Sequence, residues 1–292
     1  LGTRLGLQQT GFAWDKFVPL GKIVQVDIDT NELNKKSPLV HLPICADADL
    51  VFVSLLTELS KKGLMGKWND WLDFGSEVAS LIPLKDSANQ VRVEFIEAFD
   101  FVSELSNFLE PDDTVIPCSS GGAYTTMMSG FSNKEGQIII TDKGLASMGY
   151  GLSGAIGASL ARPGTRTVLV EGDGGFAQNF QEIGTAVAQD LKLKMFIFSN
   201  DGYASIRTMQ RAYFNGNYAG CDAETGVVLP NWLDLFAAYD VPAVTLNPVK
   251  PFSDPKVIEM MNSEHPAAFI VPIDPEQTYW PKIVSRITES GS

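Results

Sequence analysis

The sequence predicts an α/β protein: an open, mainly parallel sheet with helices on both faces, preceded by a smaller, partial unit of related build. Three observations carry this. From residue 91 onward, short apolar strands alternate with helical segments. The strands TVIPC, TVLVE and LKMFIFS are apolar almost throughout, as strands covered on both faces are. The segments after them are rich in Gly, Ser, Asn and Asp, the composition of turns.

In chain order, KIVQVDID reads as a strand ending in acidic residues, and NELNKK as a helix start. ADLVFVSLLTELSKKG follows as a helix of about three to four turns closed by Gly63. In MGKWNDWLDFGSE the apolar period is lost, so a first unit is expected over 1–63, a linker over 64–90 and a second domain over 91–292. VRVEFIEAFDFVSELSNFL (91–109) has the period of an amphipathic helix, TVIPC (114–118) and QIIIT (137–141) read as strands, and GLSGAIGASLA (151–161) as a small-residue helix. TVLVE (167–171), FQEIGTAVAQ (180–189) and LKMFIFSN (193–200) continue as strand, helix, strand. NWLDLFAAYD, AVTL, DPKVIEMMNSE and AAFIVPI repeat the rhythm as helix, strand, helix, strand.

Composition narrows the function. With 292 residues, 45% hydrophobic and 20% charged, the chain can bury a large core, and its longest apolar runs fall well short of the roughly 20 residues a membrane helix needs. A formal net charge of −13 leaves no basic patch for nucleic acid. Cys45, Cys118 and Cys221 are widely spaced with no CxxC pair, and only His41 and His265 could join them at a metal. Free thiols in a reducing cytoplasm are the expectation, with neither a membrane nor a nucleic acid as partner. Neither histidine adjoins a nucleophile motif, so imidazole catalysis is not expected.

The chemistry concentrates in GDGGFAQNF (172–180), where a buried strand ends. Ligands of open α/β sheets bind beyond the strands' carboxyl ends. Gly172, Gly174 and Gly175 permit positive φ and close backbone approach, and a helix beginning near Phe176 would add its positive end, which together make a diphosphate cradle. Asp173 repels phosphate unless a divalent cation lies between them, and Mg²⁺ typically combines one or two carboxylates with phosphate oxygens and water. Further oxygen ligands should therefore lie nearby. The next strand ends at Asn200, 27 residues after Asp173, and Asp201-Gly202 forms a turn whose carbonyl can face inward. Each turn alone is compatible with ordinary chain reversal; the pair on successive strands points to a site. A Mg²⁺-dependent phosphohydrolase or phosphotransferase, and a non-catalytic cofactor-binding module, remain alternatives here.

GDGGFAQNFQEIGTAVAQDLKLKMFIFSNDGYASIR resembles the thiamine-diphosphate motif of acetolactate synthase-like enzymes, GDG followed at a distance by Asn. The resemblance implies that Asp173, the Asn200 side chain and the Gly202 carbonyl hold Mg²⁺ against the cofactor diphosphate, with amides near Gly174, Gly175, Tyr203 and Ala204 assisting. Upstream, GLASMGYGLSGAIGA resembles the family's GLGTMGYGLPAAIGA, which implies that Met148 wedges beneath the cofactor and that carbonyls near Ala146 and Met148 receive the aminopyrimidine. CSSGGAYTTMM occupies the place of the family's TDVGQHQMW loop, which implies that Ser120, Gly121, Gly122 and Ala123 line the diphosphate through backbone groups; the loop's Gln and His are missing. Where acetolactate synthases carry a Trp that selects the second keto acid, this chain has Met209, and SIRTMQRAYFNGNYAGCDAETGV resembles members found among surface-polysaccharide genes.

RLGLQQTG, FVPLGKIVQVDIDTNEL and ICADADL resemble the end of the family's Rossmann-like central domain. The resemblance thus implies a C-terminal portion of an enzyme that decarboxylates a 2-keto acid and transfers the acyl carbanion, or cleaves a related C–C bond. The pyrimidine-binding domain, and the glutamate that activates the cofactor, would lie elsewhere. No catalytic residue is therefore assigned here, the portion alone should be inactive, and the whole protein should form a homodimer or homotetramer. FAD use is not decided by the last strand of the central domain.

Overall fold

The computed structural model describes residues 1–6, 10, 11, 13–64, 66 and 68–280. Parts of the RLGLQQTG and MGKW stretches, and the tail after Trp280, fall outside it. The chain divides into two units, Leu1–Ile82 and Pro83–Ser292.

In the first unit, β1 (Val24–Asp27) and β2 (Leu42–Cys45) pair in parallel, with Val24 opposite Leu42. α1 (Ala48–Lys61) starts at Asp47, whose side chain accepts from the Asp49 amide. The stretch expected as a linker contains α2 (Asn69–Leu81). Its helical period becomes legible only when Val78 and Leu81 are added to Trp71 and Phe74, and Gly75 in its middle conceals it.

The second unit is built on a six-stranded parallel sheet. Its elements are α3 (Ala98–Phe108), β3 (Thr114–Ile116), α4 (Gly121–Gly130), β4 (Ile138–Ile139), α5 (Tyr150–Ala161), β5 (Thr167–Gly172), α6 (Ile183–Ala188), β6 (Leu193–Ser199), α7 (Ala204–Tyr213), α8 (Trp232–Ala238), β7 (Ala243–Thr245), α9 (Pro255–Asn262) and β8 (Ala267–Pro272). Strand order is β4-β3-β5-β6-β8-β7. Successive side chains of a strand point to opposite faces, and β6 shows the result. Phe196 and Phe198 pack with Phe101, Leu105, Met127 and Met261 on the α3/α4/α9 side, whereas Met195 and Ile197 pack with Leu152, Ile183 and Phe236 on the α5/α6/α8 side. The all-apolar strands are therefore buried on both faces, as expected.

Two expectations need correcting. The helix expected over 91–109 begins only at Ala98. Tertiary contacts hold the preceding residues out of the helix, in a turn closed by the Phe95 amide on the Arg92 carbonyl: Arg92 binds Asp274 through Nε and Nη2 and the Ile96 amide donates to the Pro272 carbonyl at 2.8 Å, while Glu97 caps the helix by accepting from the Asp100 amide. These bonds outweigh the local period. The helix expected after GDGG is broken into a single turn at Asp173–Phe176, a 3-10 turn at Phe180–Glu182 and α6.

Two buried cations at the sheet's amino edge are satisfied. Arg166 grips Asp113 in a two-bond fork, and the Lys194 amine donates to Ser263 Oγ and the His265 carbonyl. His265 pairs with Asp190, and in the first unit His41 accepts from the Ile23 amide. Among the described residues, no helix is long and apolar enough to cross a membrane.

Candidate functional site

Strand order locates the site. After β3 the chain moves outward to β4, then returns across β3 to β5 and continues the other way, so the carboxyl ends of β3 and β5 flank a topological switch point. Backbone strain gathers at the same edge. Cys118, Ala146 and Asp201 have positive φ (45°, 55° and 61°), unusual for residues with a side chain, as do Gly121, Gly149 and Gly202. Such strain persists only where the surroundings hold it. Here Ser119 Oγ donates to the Ser147 carbonyl at 2.8 Å and Thr141 Oγ1 donates to the Cys118 carbonyl, tying the loops after β3 and β4 together.

Helices of ten or more residues begin at this edge at Gly121, Tyr150 and Ala204. Their amide ends supply the positive dipole that was expected of the GDGG helix, which is only one turn long. The starts of α4 and α7 are close: a Cβ on Gly121 would lie 3.9 Å from Ser205 Oγ.

Asp173 is 1% exposed at the end of β5. Its Oδ1 accepts from the Gly174 amide at 2.7 Å and its Oδ2 from the Asn200 amide at 2.8 Å. Burial nevertheless pushes its carboxyl up to about 7, against the pull of those amides, so a countercharge at this position is strongly favoured. The end of the Asn200 side chain lies 3.2 Å from Asp173 Oδ1 and 3.0 Å from the Gly202 carbonyl oxygen. With the amide nitrogen there, both oxygens are bonded; with the amide oxygen there, three oxygens converge. Neighbouring ligands of an octahedral Mg²⁺, at about 2.1 Å from the metal, lie about 3.0 Å apart. The end of the Asn200 side chain therefore stands at that ligand-to-ligand spacing from both of its neighbours. Among the described residues there is no group of three or more His, Cys, Asp or Glu that could hold a metal, so an ion here would depend on the amide and the carbonyl.

The remaining expected residues fall around this point. Ser120 is the extended residue before α4, with no capping bond from its side chain. Gly172 faces open space, as a backbone cradle requires, and Gly121 meets only Ser205 Oγ at ordinary contact distance, although Gly172, Gly174 and Gly175 have no positive φ. The reason for Gly174 is contact instead: a Cβ would lie 2.4 Å from the Tyr203 ring. Gly122 packs against Tyr279, and the Ala123 side chain is buried in the core, leaving only its backbone toward the edge. Ala146 stands in the strained loop before α5, and Met148 is 44% exposed beside it. The Tyr203 amide donates to the Cys221 carbonyl at 2.8 Å and is not free for a ligand, while its hydroxyl accepts from Gln178. Ala204 opens α7.

A family model described as thiamine pyrophosphate enzyme, C-terminal TPP binding domain, matches residues 120–271, which contain every one of these groups. The chain belongs to the thiamine pyrophosphate enzymes. It is 29% identical to acetolactate synthase 1, chloroplastic, of Zea mays over 84% of this chain and 38% of that protein. To the acetolactate synthase isozyme 2 large subunit of Escherichia coli (strain K12) it is 26% identical over 97% of this chain and 48% of that protein. To the probable acetolactate synthase large subunit of Methanocaldococcus jannaschii it is 28% identical over 89% of this chain and 44% of that protein. The chain thus spans less than half the length of these relatives. It is a thiamine-diphosphate enzyme domain related to acetolactate synthases, and these relatives give no support to the narrower likeness with surface-polysaccharide members.

Sequence reasoning missed several groups at this edge. Gln178 and the Tyr203 ring form a lid over Gly174, visible only once β5 and β6 are adjacent. A cavity of about 450 Å³ bounded by Asp173, Asp201, Val227, Trp232 and Ile270 opens on the β8 side, and none of Ser120–Ala123, Ala146 or Met148 lines it. Among the described glycines, Gly202 combines a left-handed backbone with a clash against main chain. Its φ is 137° and a Cβ would lie 2.3 Å from the Cys221 carbonyl oxygen. Gly202→Ala is expected to destabilise the domain by about 2 kcal/mol or more, measured as a fall in Tm of roughly 5 °C.

Proposed function

We propose that this chain anchors the diphosphate of thiamine diphosphate through Mg²⁺ held by the Asp173 carboxylate, the Asn200 side-chain oxygen and the Gly202 carbonyl. The convergence of these three groups at 3.0 and 3.2 Å carries the reading. Gly172, open toward the crevice, and the left-handed Gly121 let backbone approach the diphosphate, and the first amides of α4 and α7 face its charge. Ser120, Gly122, Ala123, Gly174, Gly175, Tyr203 and Ala204 complete that wall, with Tyr203 contributing its ring. Met148 and the Ala146 carbonyl support the ring end of the cofactor.

The whole enzyme, in this reading, decarboxylates a 2-keto acid and transfers the acyl group, or cleaves a related carbon–carbon bond. When bound, thiamine diphosphate supplies the electron sink for that chemistry. This chain's residues bind and orient: Asp173 fixes the metal, its burial strengthens the attraction, and the strained loops hold the backbone open to the diphosphate. In this reading the glutamate that activates the aminopyrimidine is supplied by another domain, in a homo-oligomer whose active site is shared between domains. The free thiols Cys45, Cys118 and Cys221 favour a reducing compartment, the cytoplasm.

Calorimetric titration tests the anchor. Thiamine diphosphate should bind the chain and the longer protein with Mg²⁺ present and lose most of its affinity when EDTA is added. Binding by the longer protein that is indifferent to the metal would overturn the assignment.

A further inference from the structure

Glu171, the residue before the GDGG turn, is 3% exposed and is one of the few acids in the core. Among the described residues it has no side-chain partner. Its carboxylate lies between two glycines of different loops: a Cβ on Gly151 would sit 2.4 Å from Oε2, and a Cβ on Gly175 would sit 3.0 Å from Oε1. Gly151 belongs to the first turn of α5, a twelve-residue helix whose N-cap, Gly149, is left-handed at φ 84° and offers no side-chain cap. The amides of Gly149, Gly151 and Leu152 point toward the Glu171 carboxylate, too loosely to give Oε2 a full hydrogen bond. A carboxylate at the amide end of a helix is electrostatically favoured, and here it is delivered by the neighbouring strand instead of by the N-cap residue.

We infer that Glu171 is a positioning residue: it caps α5 from β5 and clamps the Ala146–Gly149 turn to the GDGG turn, holding the ring end and the diphosphate end of the cofactor site at a fixed separation. This rests on the proposed cofactor reading for its functional consequence, but the clamp itself is a property of the chain alone. It also explains the glycines at 151 and 175, which leave room for the carboxylate. Without the clamp the turn from Ala146 to Gly149 loses the carboxylate that faces the Gly149 amide, whereas Asp173, Asn200 and Gly202 keep their own contacts.

Backbone hydrogen exchange and ligand titration on Glu171→Gln and Glu171→Ala test this. The amides of Gly149, Gly151 and Leu152 should exchange about tenfold or more faster in Glu171→Ala, with Glu171→Gln intermediate because it keeps one oxygen. Thiamine diphosphate affinity should fall about tenfold, while binding of Mg²⁺ with inorganic diphosphate stays unchanged. Unaltered exchange in both variants would overturn the clamp. Equal weakening of both ligands would make Glu171 a general scaffold of the GDGG turn and overturn the positioning role. If wild-type protein failed to bind thiamine diphosphate, the cofactor reading would fall and the exchange arm would still decide the clamp. Gly151→Ala provides a check independent of removing the acid: its Cβ should lower Tm in the wild-type background and do so less in Glu171→Ala, where the opposing oxygen is gone.

Discussion

Asp173→Asn should weaken Mg²⁺-dependent binding of thiamine diphosphate by at least about 100-fold, since even a residue one shell removed from a metal is worth about 10–100-fold. The same variant should cost the fold little. Asn retains an oxygen for one of the two amides that Asp173 accepts, from Gly174 and Asn200, and it removes a buried charge. The sign of the pH effect follows. Burial raises the Asp173 carboxyl to about 7, so between about pH 4 and 7 the native state holds more protons than the unfolded chain and metal-free stability falls with rising pH. Asp173→Asn should therefore gain stability relative to wild type across that window, measured as a growing Tm difference in EDTA. An affinity unchanged by the substitution would remove Asp173 from the metal site.

Phe101→Ala should destabilise the second unit by about 3–5 kcal/mol, read as a Tm lower by roughly 10 °C. Phe101 has no solvent exposure, and its ring meets Phe196 at 5.5 Å, Phe198 at 5.4 Å and Phe252 at 5.7 Å. Phe196 and Phe198 belong to β6, the strand that ends at the Asn200 turn. The cavity would thus loosen the element that presents Asn200 and Gly202, and a loss of stability below about 1 kcal/mol would show that this aromatic cluster is not packed as described.

The elements most legible in the sequence were those whose pattern and environment agree. TVLVE and LKMFIFS lie at the centre of the sheet, and their unbroken apolar character reflects burial on both sides. Residues 91–97 misled because their local period is helical while Arg92 and Ile96 are held by Asp274 and Pro272, partners far along the chain. The reasons for the glycines were also partly hidden. Gly172, Gly174 and Gly175 suggested left-handed backbone, but the strain sits at Cys118, Ala146, Asp201 and Gly202, and Gly174 is small because Tyr203 lies on it.

Residue types and spacing were enough to expect Asp173, Asn200 and Gly202 at one sheet edge: an acid among glycines at one strand end, and Asn with a turn 27 residues later, can share that edge because one helix and one strand separate them. The fold itself was needed to show that Asn200 closes to 3.0 and 3.2 Å on its two neighbours, that Tyr203 spends its amide on Cys221, and that Glu171 faces the start of α5. Those facts depend on packing between segments that no local pattern connects. Burial then makes Asp173 and Glu171 distinctive, because a carboxylate withdrawn from water is held ionised only by a cation, a helix end or hydrogen bonds, and otherwise takes up a proton.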